Sequence, residues 1–214
     1  MKAFMIRILK LLFGVILFAF GIVFTINANI GYGPWEVFHF GLSRQTGLGI
    51  GLVSVIVGII IVIIATLLKE KLGLGTIAGM VLTGLGIDLI LYLNFIPVST
   101  NFAYGLVMLI IGMLVISLGS YFYMNSAFGV GPRDNLMVLL TRKTKLPIGV
   151  CRGIVELTVT LIGWLLGGMV GIGTLIFGIA VGFCIQITFA VFKFDAAAVQ
   201  HETLRQSFTG IRKR

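Results

Sequence analysis

Uncharged apolar runs long enough to cross a lipid bilayer recur from one end of the 214-residue chain to the other. A hydrocarbon core about 30 Å thick takes roughly 20 apolar residues of helix, and within it every backbone N–H and C=O must find a partner inside the protein. Reading the runs between their polar punctuation predicts spans at 9–28, 49–68, 73–95, 102–124, 147–167 and 172–193. Two further segments, Pro34 to Arg44 and Pro132 to Arg142, are too short to cross alone at about 1.5 Å per helical residue. With 58% hydrophobic residues, 11% charged residues and a mean hydropathy of +1.14, the composition excludes a soluble domain. No polar stretch remains to house a soluble enzyme.

The formal net charge of +9 would raise the question of nucleic acid in a soluble protein, but no basic stripe interleaved with aromatics is present, and no nucleic-acid partner is expected. The bases instead orient the chain. With the N-terminus inside, Lys2, Arg7, Lys10, Lys69, Lys71, Arg133, Arg142, Lys143, Lys145, Lys193, Arg205, Arg212, Lys213 and Arg214 all fall on the cytoplasmic side. Arg152 lies inside the fifth run and Arg44 alone falls outside. Both termini are therefore expected in the cytoplasm, with residues 195–214 as a basic tail near anionic headgroups. The basic, then apolar, N-terminus resembles a signal peptide, but it is long enough to span, lacks a convincing small-residue cleavage site near Asn27 to Asn29, and has a counterpart later in the chain.

That counterpart belongs to an internal repeat. Aligning Gly33 with Gly131 sets an offset of 98 residues that holds without a gap. Gly14, Gly21 and Asn27 meet Gly112, Gly119 and Asn125; Gly31, Gly33, Pro34 and Glu36 meet Gly129, Gly131, Pro132 and Asp134; Arg44, Thr46 and Gly51 meet Arg142, Thr144 and Gly149; Gly73, Gly75, Thr76 and Gly84 meet Gly171, Gly173, Thr174 and Gly182. Glycines alone could align by chance among 29 of them, but not together with Asn, Pro, Arg, Thr and an acid. Three spans per unit is an odd number, so the second copy enters the membrane from the opposite side. The expected fold is all-α and polytopic: six transmembrane helices as two inverted three-helix repeats, 1–98 and 99–194, each with a short Gly-Pro-initiated helix.

Gly-x-Gly-Pro-x-acid suits a helix start. Glycine frees the turn, proline is tolerated at the first helical position, and the acid complements the positive helix end. Glu36 and Asp134 either cap interfacial turns or sit where two helix starts face a polar cavity; Asn27 and Asn125 nearby favour the second reading, because an unpaired amide is costly at membrane depth. Arg152 and Glu156 lie one helical turn apart, as an ion pair that either binds solute or clamps the bundle. Asp88 is matched by neutral Gln186. Trp35, Trp164 and the tyrosines read as interface anchors and packing residues. Cys151 and Cys184 lie in apolar runs, and His39 and His201 stand far apart, so no metal site or other cofactor is expected. Catalytic signatures such as His-Glu-x-x-His or Gly-x-Ser-x-Gly are absent, so no enzymatic role is expected.

Gly-Tyr-Gly-Pro-Trp-Glu at 31–36, Gly-Pro-Arg-Asp at 131–134, Arg152 with Glu156, Gly-Trp-Leu-Leu-Gly-Gly at 163–168 and Gly-Ile-Gly-Thr at 171–174 together resemble the bacterial YczE-like membrane proteins, allied to the YitT group. Asn135 and Phe183 depart from the family pattern, which has glycine and proline there. The resemblance implies a bacterial cell (inner) membrane protein of the kind labelled a transporter without a known substrate. The leading expectation is a transporter or facilitator of a small anionic or zwitterionic solute, bound by Arg152, Glu156, Asp134, Glu36, Asn27, Asn125 and Asp88. Its partners would be the lipid bilayer, a small-molecule solute, and a second copy or another membrane protein. The alternative is a non-transporting subunit that supports a partner protein.

Overall fold

The computed structural model describes residues 2–68, 73–129, 131–195 and 199, with the side chains at 2, 3, 134, 135, 138 and 148 outside that description. The described residues form helices joined by short links: α1 (Lys2–Asn27), α2 (Pro34–Thr46), α3 (Ile50–Leu67), α4 (Leu74–Leu93), α5 (Phe102–Asn125), α6 (Pro132–Thr144), α7 (Ile148–Leu165) and α8 (Ile172–Val191). The described residues carry no strand, and the protein is a polytopic membrane protein. Among the described residues, α1, α3, α4, α5 and α8 are long and apolar enough to cross a bilayer. α7 has 18 residues and carries the Arg152–Glu156 pair.

Helix boundaries follow the Gly and Pro punctuation. Pro34 and Pro132 each open a 13-residue helix behind a glycine with almost the same backbone angles, Gly33 at φ −61°, ψ 155° and Gly131 at φ −61°, ψ 156°. Proline fits there because its missing N–H is one that a helix start leaves unpaired anyway. Gly31 and Gly129, at φ 117° and 135°, make the turns into these helices in a region closed to residues with a Cβ. α4 and α8 open alike: Thr76 Oγ1 accepts from Gly73 N at 3.4 Å and Thr174 Oγ1 from Gly171 N at 3.1 Å.

α1 and α5 cross at the centre of the bundle, and glycines set how close they come. A Cβ on Gly21 would stand 2.8 Å from Gly112 O, one on Gly112 2.9 Å from Gly21 O, and one on Gly14 or Gly119 2.9 Å from the other's carbonyl oxygen. Small residues let backbones approach where lipid supplies no hydrophobic drive between helices. Val23, Ile26, Leu109, Met113 and Ile116 fill the core around this crossing. α4 lies against α1, and α8 against α5. The link before each short helix pairs with the start of a long one in the other half: Gly75 N donates to Phe128 O and Gly173 N to Ile30 O, both at 2.8 Å. Arg7 closes the end of α5, donating from Nε to Ser126 O at 2.8 Å and lying over the Phe128 ring.

Candidate solute site

The starts of α2 and α6 meet inside the bundle at a cavity of about 290 Å³ that every helix of the described residues lines. α2 is buried over Pro34, Trp35, Glu36, Val37, His39 and Gly41, while its far end is exposed. It therefore runs from the cavity outward rather than lying along a surface. α6 contributes Gly131, Pro132 and Arg133 to the same wall. Val37 N is the first amide of α2 to bond back, to Gly33 O at 2.8 Å, so the earlier amides leave a positive helix end beside the cavity.

Among the described residues, two ion pairs stand in this wall. Arg133 donates from Nη1 and Nη2 to Glu36 Oε1, each at 3.2 Å, joining the two short helices across 97 residues of sequence. The Glu36 side chain is only 5% exposed, against 31% for Arg133, whose guanidinium also lies 4.9 Å over the Trp35 ring. Arg152 Nε donates to Glu156 Oε1 at 2.8 Å, with the Arg152 side chain 41% exposed. Its Nη groups take no protein acceptor among the described residues, so the forked end that suits a carboxylate or phosphate is uncommitted. Trp35 Nε1 is a second uncommitted donor, buried with no hydrogen-bond partner among the described residues. An unmet buried donor costs about 1–3 kcal/mol, and a bound solute would relieve it.

Of the residues expected to form a site, Glu36, Arg152 and Glu156 line this cavity. Asp134 lies outside the described side chains. Asn27, Asn125 and Asp88 do not line it; each is committed to local structure. Asn27 Nδ2 donates to Ile96 O at 2.7 Å, and Asn125 accepts from Lys10 Nζ at 3.2 Å and donates to Tyr121 Oη at 3.1 Å. Asp88 caps α3 from α4, accepting from Gly51 N at 2.7 Å and Leu52 N at 2.8 Å. Trp35, read from the sequence as an interface anchor, is instead buried in the cavity wall among Ile61 and Val155. Arg133 and His39 were missed as site residues. The available signal was positional: at the 98-residue offset Arg133 matches Trp35, and these two now touch.

The chain matches the model of a family of unknown function, DUF6198, over residues 5–189. It belongs to that family. An uncharacterized membrane protein, YczE, of Bacillus subtilis (strain 168) is 34% identical over 178 residues, covering 82% of this chain and 81% of the relative. An uncharacterized protein of Haemophilus influenzae (strain ATCC 51907 / DSM 11121 / KW20 / Rd) is 32% identical over 176 residues, covering 82% and 80%. The B. subtilis protein YyaS is 30% identical over 166 residues, covering 76% and 82%. These matches bear out the resemblance to YczE-like membrane proteins. No solved structure matches the chain.

Proposed function

We propose that this DUF6198 protein is an inner-membrane transporter or facilitator of a small anionic or zwitterionic solute, built from six spans as two inverted repeats with both termini in the cytoplasm. The observation that carries the reading is the uncommitted guanidinium end of Arg152, with buried Trp35 Nε1, in a cavity where two Gly-Pro helix starts converge. Half-helix N-termini near the middle of a bundle are a recurring way to hold an anionic group in transporters with inverted repeats. A volume of about 290 Å³ stands at the small end of ligand pockets, which begin near 300 Å³. Glu36 and Glu156 in the same wall supply acceptors for a cationic group, so a small zwitterion matches both signs.

The repeat reading is supported by helix starts at 34, 50 and 74 that recur at 132, 148 and 172, and by the matched bonds Gly75 to Phe128 and Gly173 to Ile30. α7 then supplies the sixth span, with Arg152 and Glu156 neutralising each other at membrane depth.

Thermal stability of the purified protein against a panel of amino-acid-like zwitterions, small carboxylates, phosphate and organic cations tests the site. One or more anionic or zwitterionic compounds should stabilise the protein, and Arg152→Gln should abolish the effect. Stabilisation by cations alone, or an effect unchanged in Arg152→Gln, would overturn the assignment.

A further inference from the structure

The two halves differ in one place that the 98-residue offset makes conspicuous. In the first half α3 packs on α4 through Gly51 and Gly84: a Cβ on Gly51 would run into Gly84 O, and one on Gly84 would stand 2.6 Å from Gly51 O. Asp88 fastens the contact by accepting from the first amides of α3. The matching helices of the second half, α7 and α8, scarcely touch among the described residues. A Cβ on Gly149 or Gly182, the counterparts of Gly51 and Gly84, would meet nothing within 4 Å, and the same holds for Gly153 and Gly178. Gln186 occupies the place of Asp88, yet among the described residues it accepts no hydrogen bond from the start of α7.

α7 is instead drawn toward α2. Gly163 packs against the Phe38 backbone, where its Cβ would stand 2.5 Å from Phe38 Cα, and Gly41 packs against Gly163 O. Among the described residues, α2 and α7 therefore make a more extensive contact than the corresponding α6 and α3. One half has its long-helix pair closed and the other has it open, although both carry the glycines that closure uses.

We propose that α3–α4 and α7–α8 are alternating gates to the cavity, and that the structure holds the first closed and the second open. In the other state α7 swings from α2 onto α8, bringing Gly149 against Gly182 with Gln186 capping α7, while α3 leaves α4 for α6. This inference rests on the transport and two-repeat readings. With the termini inside, the open gate faces the cytoplasm and lets solute reach Arg152, which lines the cavity from α7. Asp88 latches its gate with charge-assisted bonds, whereas Gln186 offers a neutral amide acceptor, so the cytoplasm-open state is the resting one. Packed interfaces of this kind switch between discrete arrangements rather than deforming continuously.

Pulsed electron-spin distances test the gate without any solute. Labels go on Leu146→Cys and Val191→Cys, both exposed positions near the gate, in a Cys151→Ala, Cys184→Ala background. The full chain in liposomes should show a main distance and a minor shorter one. Asp88→Asn, and separately Gln186→Glu, which leaves the Asp88 latch intact, should each raise the shorter population several-fold. Gly182→Val has room in the present arrangement and blocks the alternative, so it should remove the shorter population while the protein stays folded. A single distance in wild type, Asp88→Asn and Gln186→Glu, or a shorter population that survives Gly182→Val, would overturn the proposal. A missing gate would leave solute stabilisation through Arg152 intact, and a silent solute panel would leave these distances unchanged, so the two readings fail separately.

Discussion

Glycine-to-alanine substitution should have opposite signs at two sets of positions. At the α1–α5 crossing, a Cβ on Gly21 would stand 2.7 Å from both Ile116 N and Ile116 Cγ1 and 2.8 Å from Gly112 O; Gly14, Gly112 and Gly119 are as tightly enclosed. Carbon contacts prefer about 3.5–4.0 Å, so the helices must part by several tenths of an ångström, and a gap of 0.5–1 Å forfeits about a quarter to a half of the dispersion well along the seam. Overpacking of this kind costs about 1–3 kcal/mol, partly offset by up to about 1 kcal/mol from alanine's better helix propensity. At Gly178 and Gly182 in α8 the space is open, and only the propensity gain remains. The two sets should therefore differ by about 2 kcal/mol, which is about 4–8 °C in melting temperature for a chain of this size. Thermal unfolding in one detergent, followed by intrinsic fluorescence, is the assay. Equal melting temperatures for Gly21→Ala and Gly182→Ala, or Gly182→Ala as the less stable, would refute the packing argument.

Further outcomes follow from single contacts. Glu36→Gln removes the charge facing Arg133 and should lower stability by about 1–3 kcal/mol, less than a fully buried pair because Arg133 is partly exposed; denaturant unfolding should show Glu36→Gln/Arg133→Gln recovering part of that loss. Asp88→Leu deletes both acceptors at the start of α3 and should speed amide exchange at Gly51 and Leu52, whereas Asp88→Asn keeps one acceptor and should speed it less. Tyr123→Phe loses the bond from the hydroxyl to Gly75 O at 2.9 Å and should lower the melting temperature by the equivalent of about 1 kcal/mol.

Much of the fold was legible because bilayer physics leaves few choices. Each predicted span lies within a few residues of a helix except the first, whose helix begins earlier at Lys2, and each short segment starts at its proline. Proline and glycine act locally, through φ and the missing amide, so their effect can be read in place. The site was only half legible. Arg152 and Glu156 share one helix face and find each other at a spacing visible in the sequence, but Glu36 and Arg133 meet only because α2 and α6 start at the same cavity. The amides of Asn27 and Asn125 and the carboxylate of Asp88 answer the same rule as a binding group, that a polar group at depth needs a partner. Their partners turned out to be a backbone carbonyl, a lysine, a tyrosine and a helix start. Composition cannot distinguish such a partner from a solute; only the path of the chain can.

The proposed function is carriage of a solute across the membrane by the Arg152 cavity. The most direct measurement is exchange of a radiolabelled panel compound, taken first from those that stabilise the protein, in proteoliposomes preloaded with the unlabelled compound. Label should accumulate with wild-type protein and stay little above empty liposomes with Arg152→Gln, while that variant, though less stable for want of the Glu156 partner, keeps a cooperative melting transition. A compound that stabilises the protein through Arg152 yet never exchanges would contradict transport and leave a membrane protein that binds without carrying.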